Sequence, residues 1–144
     1  MRALIDLNVF LDVEQQRQPH FADSAAVLSA ALSGHFEAWM PAHSLTTLHY
    51  LIERHAGLAA ADAAVDWHLQ HFRIPGLTEA VFRRARALGM TDFEDAVVAA
   101  SAESAGCAWI VTRNGTDFQG STVAAISPAD FLKALARAAA QGAL

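Results

Sequence analysis

The chain has 144 residues, enough for one domain over residues 1–144 with a single sizeable core, and its 53% apolar content excludes disorder as the default state. Its formal charge of −5, from 10 basic and 15 acidic residues, argues against a protein that holds nucleic acid by bulk positive charge. One cysteine excludes an intrachain disulfide framework, and with no secretory signal or membrane-length apolar run we expect a soluble, cytoplasmic protein.

Short apolar runs alternate with longer helical patterns along the chain, which is typical of a parallel sheet with helical crossovers. Strands are predicted near residues 2–6, 36–40, 71–74, 108–112 and 122–126. Helices are predicted over residues 8–15, 21–34, 44–56, 58–69, 78–89, 92–105 and 128–139, and the last few residues of the chain are expected to fray. The predicted fold is α/β, a central parallel sheet of about five strands flanked by helices.

Several helix starts carry capping signals in the sequence. Ser44 and Thr78 are expected to cap the third and fifth helices, which glycines end. Thr91 is expected to cap the sixth helix, whose first turn is acidic. Ser127 precedes a proline and is expected to cap the last helix.

Polar residues follow several of the predicted strands. Asp6 closes the first strand, Thr46 and Thr47 open the helix after the second, and Asn114 and Asp117 follow the fourth. Because ligands of open parallel sheets bind outside the carboxyl ends of the strands, these residues are expected at one edge.

Asp92 and Asp95 are three residues apart, so they share one face of the sixth helix. They reach the same edge only if the helix over 78–89 lies across the sheet. Carboxylates gathered there would repel one another unless they shared a proton or a hard cation. Ligation by oxygen alone favours Mg²⁺ or Mn²⁺ over zinc, and an ion that orients a phosphate is typical of a metal-dependent nuclease.

Four segments together resemble the PIN domain, a compact three-layer α/β ribonuclease fold. These segments are LIDLNVFLDV, PAHSLTTLHYLIERHAG, TDFEDAVVAASAESAGCAWIVTRNGTDF and ISPADFL, and they occur in the family's order over nearly the whole chain. Many single-domain members are similar to VapC toxins of toxin–antitoxin pairs. The resemblance therefore implies an Mg²⁺- or Mn²⁺-dependent endoribonuclease that leaves 5′-phosphate and 3′-hydroxyl ends, with an RNA substrate, a cognate antitoxin and a homodimeric state.

The resemblance also implies roles for individual residues. Asp6, Asp95 and Asp117 match the family's metal-binding acids, and Asp92 matches an auxiliary catalytic acid. The residues that match supporting positions around the metal are Asn8, Thr112 and Asn114. Thr47 stands where many members carry a glutamate; its hydroxyl cannot replace that charge, but it is expected to support the site by holding a metal-bound water. Leu7 stands where a threonine or serine often follows the first aspartate.

Two alternatives remain beside the nuclease. A catalytically weakened PIN-like domain could bind RNA or protein without cutting, which the threonine at position 47 and the acidic net charge favour. A phosphotransfer hydrolase could use Asp6 as a nucleophile, although a second aspartate is then usual two residues on, where this chain has Asn8.

Basic residues and histidines complete the candidates. Contacts with RNA phosphates are predicted for four arginines, namely Arg83, Arg84, Arg86 and Arg113. For the first three, the alternative is that they form a solvated helix face. The seven histidines are interpreted as surface or core-edge residues, because their spacing does not complete a zinc site.

Overall fold

In the computed structural model, which describes residues 1–142, four parallel strands form one sheet in the order β2-β1-β3-β4. They are β1 (Arg2–Ile5), β2 (Glu37–Trp39), β3 (Trp109–Val111) and β4 (Ala124–Ile126). The register pairs Leu4 of the central β1 with Trp39 on one side and with Ile110 on the other. The parallel α/β prediction is confirmed.

Seven helices and one 3₁₀ turn accompany the sheet within residues 1–142. They are α1 (Leu7–Glu14), α2 (Phe21–Leu32), α3 (Ala42–Ala56), α4 (Leu58–His71), α5 (Glu79–Ala87), α6 (Phe93–Ser104) and α7 (Pro128–Ala140), with the 3₁₀ turn at Gly115–Phe118. No helix in this part of the chain is both long and apolar enough to cross a bilayer. The predicted fraying of the chain end falls partly on residues 143 and 144, outside the described residues.

The predicted strand over 71–74 is reduced to a single bridge. Trp39 pairs with Arg73 in parallel, through bonds from the Arg73 N–H to the Ala38 carbonyl (3.0 Å) and from the Met40 N–H to the Arg73 carbonyl (2.8 Å). α4 continues to His71, and Pro75 has no N–H to extend the ladder. The sheet therefore has four strands plus this bridge beside β2.

Two predicted caps lie elsewhere. α3 begins at Ala42 with Pro41 at its N-cap, so Ser44 is a fully buried residue inside the first turn. α6 is capped by Asp92, whose side chain accepts from the backbone N–H of Asp95, so Thr91 is not the cap. Thr78 and Ser127 cap α5 and α7 as predicted.

The sheet buries both faces, which makes three layers. Along β1 the side chains alternate: Ala3 and Ile5 join the cluster under α1, α2 and α7, whereas Leu4 joins the cluster under α6. α5 packs on α6 rather than on the sheet, in a separate small cluster with Val81 and Ala85. α5 thus lies outside the sheet layer, and α6 begins at the carboxyl edge of the strands.

Candidate metal centre

Asp6 lies at the junction of β1 and α1. Its backbone N–H donates to the Val111 carbonyl of β3 (2.9 Å), which continues the sheet pairing, and its side chain caps α1. Oδ1 accepts from the Leu7 N–H at 2.8 Å. A carboxylate in this apolar opening is therefore held by the positive end of a helix, as Asp caps commonly are.

The second oxygen of Asp6 is bound by two side chains. Oδ2 accepts from Thr112 Oγ1 at 2.8 Å and from Asn8 Nδ2 at 3.0 Å. Thr112 is almost fully buried, and its Oγ1 also accepts from the backbone N–H of Asn114 at 3.1 Å. The structure thus brings together Asp6, Asn8 and Thr112, while Asn114 takes part through its backbone.

The electrostatic surroundings of Asp6 are mixed. Burial raises the pKa of its carboxyl above the usual value, while the Thr112 and Leu7 hydrogen bonds and the nearby His43 lower that pKa and Glu94 raises it. His43 Nε2 lies 3.5 Å from Glu94 Oε1, at the start of α6. His43 therefore links the beginning of α3 to the acidic edge, a position that the histidine spacing alone did not indicate.

Asp95 lies in the first turn of α6 and feels the other acids. Its pKa is raised to about 6, first by burial and then by the negative charges of Asp92, Asp6, Asp117 and Glu94. One carboxylate oxygen of Asp92 caps α6, since its Oδ1 accepts from the Asp95 N–H at 2.9 Å. No ion pair within residues 1–142 reaches Asp6, Asp92, Asp95 or Asp117.

Asp117 arrives from the loop after β3. It lies in the 3₁₀ turn, its N–H donates to the Asn114 carbonyl at 3.0 Å, and its side chain is exposed. Its charge raises the pKa of Asp95, so the two carboxyls are electrostatic neighbours. The predicted acids thus lie within electrostatic range of one another along one edge of the sheet, from the end of β1, from the start of α6 and from the loop after β3.

The acidic edge has the donor chemistry of a hard-cation site but not a closed ligand shell. Among the residues that the structure describes, no group of three or more His, Cys, Asp or Glu side chains is close enough together to hold a metal ion. The donors are nevertheless carboxylate oxygens that repel one another, which suits Mg²⁺ or Mn²⁺. Asp6, Asp95 and Asp117 are the residues that would hold such an ion.

Thr47 uses its hydroxyl within its own helix. Thr47 Oγ1 donates to the His43 carbonyl at 3.1 Å, and Thr46 Oγ1 donates to the same carbonyl at 2.9 Å. The Thr47 side chain is half-buried and that of Thr46 is exposed. Neither hydroxyl contacts Asp6 in the structure, so the supporting role of Thr47 remains a prediction.

The four arginines differ in their surroundings. Arg83 Nε donates to Glu79 at 2.8 Å along α5, and Arg84 Nε donates to Glu103 of α6 at 2.7 Å. The Arg84–Glu103 hydrogen bond raises the pKa of the guanidinium and lowers that of the carboxyl. Arg86 is exposed. Their contact with RNA phosphates stays a prediction, and two of the three α5 cations already have protein partners.

Arg113 is bound to a residue that the sequence did not single out. Its Nε donates to Asp12 Oδ2 at 2.8 Å, and Asp12 is fully buried in α1. An acid on the buried face of an apolar helix requires a cationic or protic partner. In the sequence, the pairing could have been inferred only from the presence of an arginine directly after β3.

The comparisons with known proteins agree with this architecture. A protein-family model described as PIN domain matches residues 2–116. Among solved structures, VapBC-1 from nontypeable Haemophilus influenzae is 14% identical, with a TM-score of 0.69 over 90% of this chain and 99% of that chain. VapBC2 from Rickettsia felis, solved with a DNA fragment from their promoter, is 12% identical, with a TM-score of 0.66 over 88% and 98% of the two chains.

A third similar structure is VapC20 of Mycobacterium tuberculosis, a sarcin–ricin loop cleaving toxin. It is 16% identical, with a TM-score of 0.63 over 81% of this chain and 93% of that chain. No curated protein sequence matches the chain. At such identities the structural likeness concerns the fold.

Proposed function

The chain belongs to the PIN-domain family, and from that membership we propose that it is a metal-dependent endoribonuclease acting as the toxin of a toxin–antitoxin pair. The observation that carries this proposal is the placement of Asp6, Asp95 and Asp117 along one edge of the sheet, where burial, and after it the negative charges of Asp92, Asp6, Asp117 and Glu94, raise the pKa of Asp95 to about 6. Acids that form no ion pair within the described residues favour a divalent cation, Mg²⁺ or Mn²⁺.

The residues of the site divide the work. Asp6, Asp95 and Asp117 would hold the ion, and when bound it supplies charge neutralisation and orientation for a phosphodiester. Asn8 and Thr112 orient Asp6 by donating to its Oδ2. Asp92 fixes the start of α6 by capping it, which places Asp95.

The toxin role rests on the shared fold. VapC20 is a toxin that cleaves the sarcin–ricin loop, and its fold covers 81% of this chain. The fold is also shared with the VapBC structures and with FitAB, solved with a DNA fragment. We therefore propose an RNA substrate, a cognate antitoxin partner, a homodimer and a cytoplasmic location for this single-domain protein.

One observation favours the weaker alternative, a PIN domain that binds RNA or protein without cutting. The Thr47 hydroxyl, at the position where many members carry a glutamate, is directed to the His43 carbonyl. The acid count at the site is correspondingly lower by one than in those members.

RNA cleavage tests the proposal. The parent protein is incubated with structured RNA and Mg²⁺ or Mn²⁺ and compared with Asp6→Asn and Asp95→Asn. A matched control is Asp66→Asn, which removes an exposed acid from α4. Cleavage by the parent and the control, and its loss by more than 100-fold in the two site variants, is the expected result. Equal cleavage by all four proteins would contradict the site.

A further inference from the structure

An ion pair between a buried acid and a partly exposed arginine lies beside the candidate metal centre, outside the group of acids. Asp12 of α1 is fully buried, and its Oδ2 accepts from Arg113 Nε at 2.8 Å and from Ser24 Oγ of α2 at 2.9 Å. Within the described residues Asp12 Oδ1 has no hydrogen-bond partner. Taking a carboxylate wholly out of water is costly even when it is paired, so stability alone is a weak explanation for an acid at this position.

The pair connects to Asp6 through the backbone of Arg113. The Arg113 N–H donates to Asn8 Oδ1 at 3.4 Å, while Asn8 Nδ2 donates to Asp6 Oδ2 at 3.0 Å and to Thr112 Oγ1 at 3.2 Å. An asparagine amide has one accepting end and one donating end. Because the Arg113 N–H engages the accepting end, the donating end of Asn8 faces Asp6.

The same loop carries a second contact. The Asn114 N–H donates to Thr112 Oγ1 at 3.1 Å, which leaves the hydroxyl hydrogen of Thr112 for Asp6 Oδ2. The loop over 112–114 therefore determines the direction of both side-chain donors that reach Asp6. Among the described residues, the one ion pair that ties this loop to α1 is the one between Arg113 and Asp12.

We propose that Asp12 and Arg113 are positioning residues for the candidate metal centre: their ion pair holds the loop after β3 so that Asn8 and Thr112 present donors to Asp6. The role in catalysis rests on the proposed function, but the orientation of Asn8 does not. Replacing a residue that orients a metal ligand typically weakens metal affinity by about 10- to 100-fold.

The alternative explanation is that Asp12 only holds α1 and α2 together and does not affect the site. A substitution at Ser24 distinguishes this purely structural role from the positioning role. Ser24→Ala removes the other donor to the same Asp12 oxygen from an equally buried position, without touching the loop. Arg113→Lys keeps the positive charge but loses the Nε–H that bonds Asp12. Asp12→Asn keeps the shape of the side chain and removes its charge.

The first readout uses the metal-free protein. In ¹⁵N-resolved NMR spectra the Asn8 side-chain amide signals are followed in the parent, Arg113→Lys, Asp12→Asn and Ser24→Ala. In Arg113→Lys and Asp12→Asn the chemical shifts of these signals should change, and hydrogen exchange of the Asn8 side-chain amide should become faster by about 10-fold or more. Neither change is expected in Ser24→Ala. Unchanged Asn8 signals in a folded Arg113→Lys protein, or an equal change in Ser24→Ala, would overturn the proposal.

The second readout is Mn²⁺ binding by calorimetry. Arg113→Lys should weaken Mn²⁺ binding by at least about 10-fold, whereas Ser24→Ala should leave the affinity within about 2-fold of the parent. Unchanged Mn²⁺ affinity in Arg113→Lys would overturn the positioning role. If the parent itself binds no Mn²⁺, the proposed function fails, and the Asn8 signals still decide whether the ion pair orients Asn8. If Asp12→Asn does not fold, Arg113→Lys carries both readouts.

Discussion

Thr112 Oγ1 and Asp6 Oδ2 lie 2.8 Å apart, although 106 positions of sequence separate the two residues. The contact joins the ends of β1 and β3, which are adjacent strands. The fold, through the pairing of these two strands, therefore gives the Asp6 carboxylate a hydroxyl donor that no local sequence pattern supplies.

Thr112→Val tests this contact, because valine has nearly the shape of threonine without the hydroxyl. The partly buried Asp6 carboxylate and the Asn114 N–H would each lose a partner, so the free energy of unfolding should fall by about 1–3 kcal/mol. Mn²⁺ affinity should fall as well. Denaturant unfolding and calorimetry measure the two effects, and an equally stable variant with parental Mn²⁺ affinity would contradict the role of Thr112.

Asp95→Asn should stabilise the metal-free protein at neutral and alkaline pH. The pKa of Asp95 is raised to about 6 in the folded state from 3.8, so ionisation opposes folding as pH rises through that interval. The gain should be absent below about pH 4 and full above about pH 6. Asparagine removes both causes of the raised pKa, the burial of a charge and the repulsion by neighbouring acids, and the melting temperature should rise by about 3 °C for each kcal/mol so gained.

Asp130→Asn is the matched control for that measurement. Asp130 occupies the same place in α7, where the Ser127 hydroxyl accepts from the Asp130 N–H just as Asp92 accepts from the Asp95 N–H. Lys133 and Ser127 lower the pKa of Asp130, so its charge supports folding above the unfolded pKa and that support is lost at low pH. Asp130→Asn should therefore not stabilise the protein at pH 8; equal gains in both variants would contradict the repulsion at Asp95.

Thr47→Glu tests whether the missing acid lowers metal affinity. Thr47 lies one helical turn after His43, whose charge acts on Asp6. A carboxylate there should tighten Mn²⁺ binding by about 10-fold, as a further oxygen ligand does when it completes a site. Thr46→Glu adds the same charge at the exposed neighbouring position and should leave Mn²⁺ binding unchanged. Calorimetry measures both variants, and equal tightening in the two would show only a general effect of added negative charge.

Cys107 provides a test of the fold that does not involve the site. Burial raises the pKa of its thiol to about 12, so almost no thiolate is present at pH 8. A thiol reagent such as iodoacetamide should leave the native protein unlabelled over hours and should label it within minutes in denaturant. Rapid labelling of the native protein would place Cys107 at the surface.

Much of this architecture was predictable because it depends on local patterns. Apolar runs and caps such as Thr78 and Ser127 predicted all seven helices and the parallel sheet. The predicted strand over 71–74 is only a single bridge, because the period of an apolar run does not show that α4 reaches His71 or that Pro75 ends the ladder. The predicted cap of α6 was displaced by one residue because Asp92 offers nearly the same capping chemistry as Thr91, whereas α3 begins after Pro41 without a side-chain cap.

The site residues that could be predicted are those whose location follows from chain topology. Residues that follow parallel strands meet at one edge, so Asp6 and Asp117 could be assigned to it from sequence order. Asp12 and His43 were missed because their importance depends on which side chains face them across the fold. Arg113 was assigned to RNA for the same reason, since no spacing in the sequence shows that its guanidinium bonds a buried carboxylate.

Mn²⁺ titration by calorimetry tests the central claim most directly, namely that Asp6, Asp95 and Asp117 bind one divalent-cation site. The account predicts binding by the parent protein and by Asp66→Asn, with at least a 10-fold weaker affinity in each of Asp6→Asn, Asp95→Asn and Asp117→Asn. Mn²⁺ affinity that is the same in all five proteins, or absent from the parent, would contradict it.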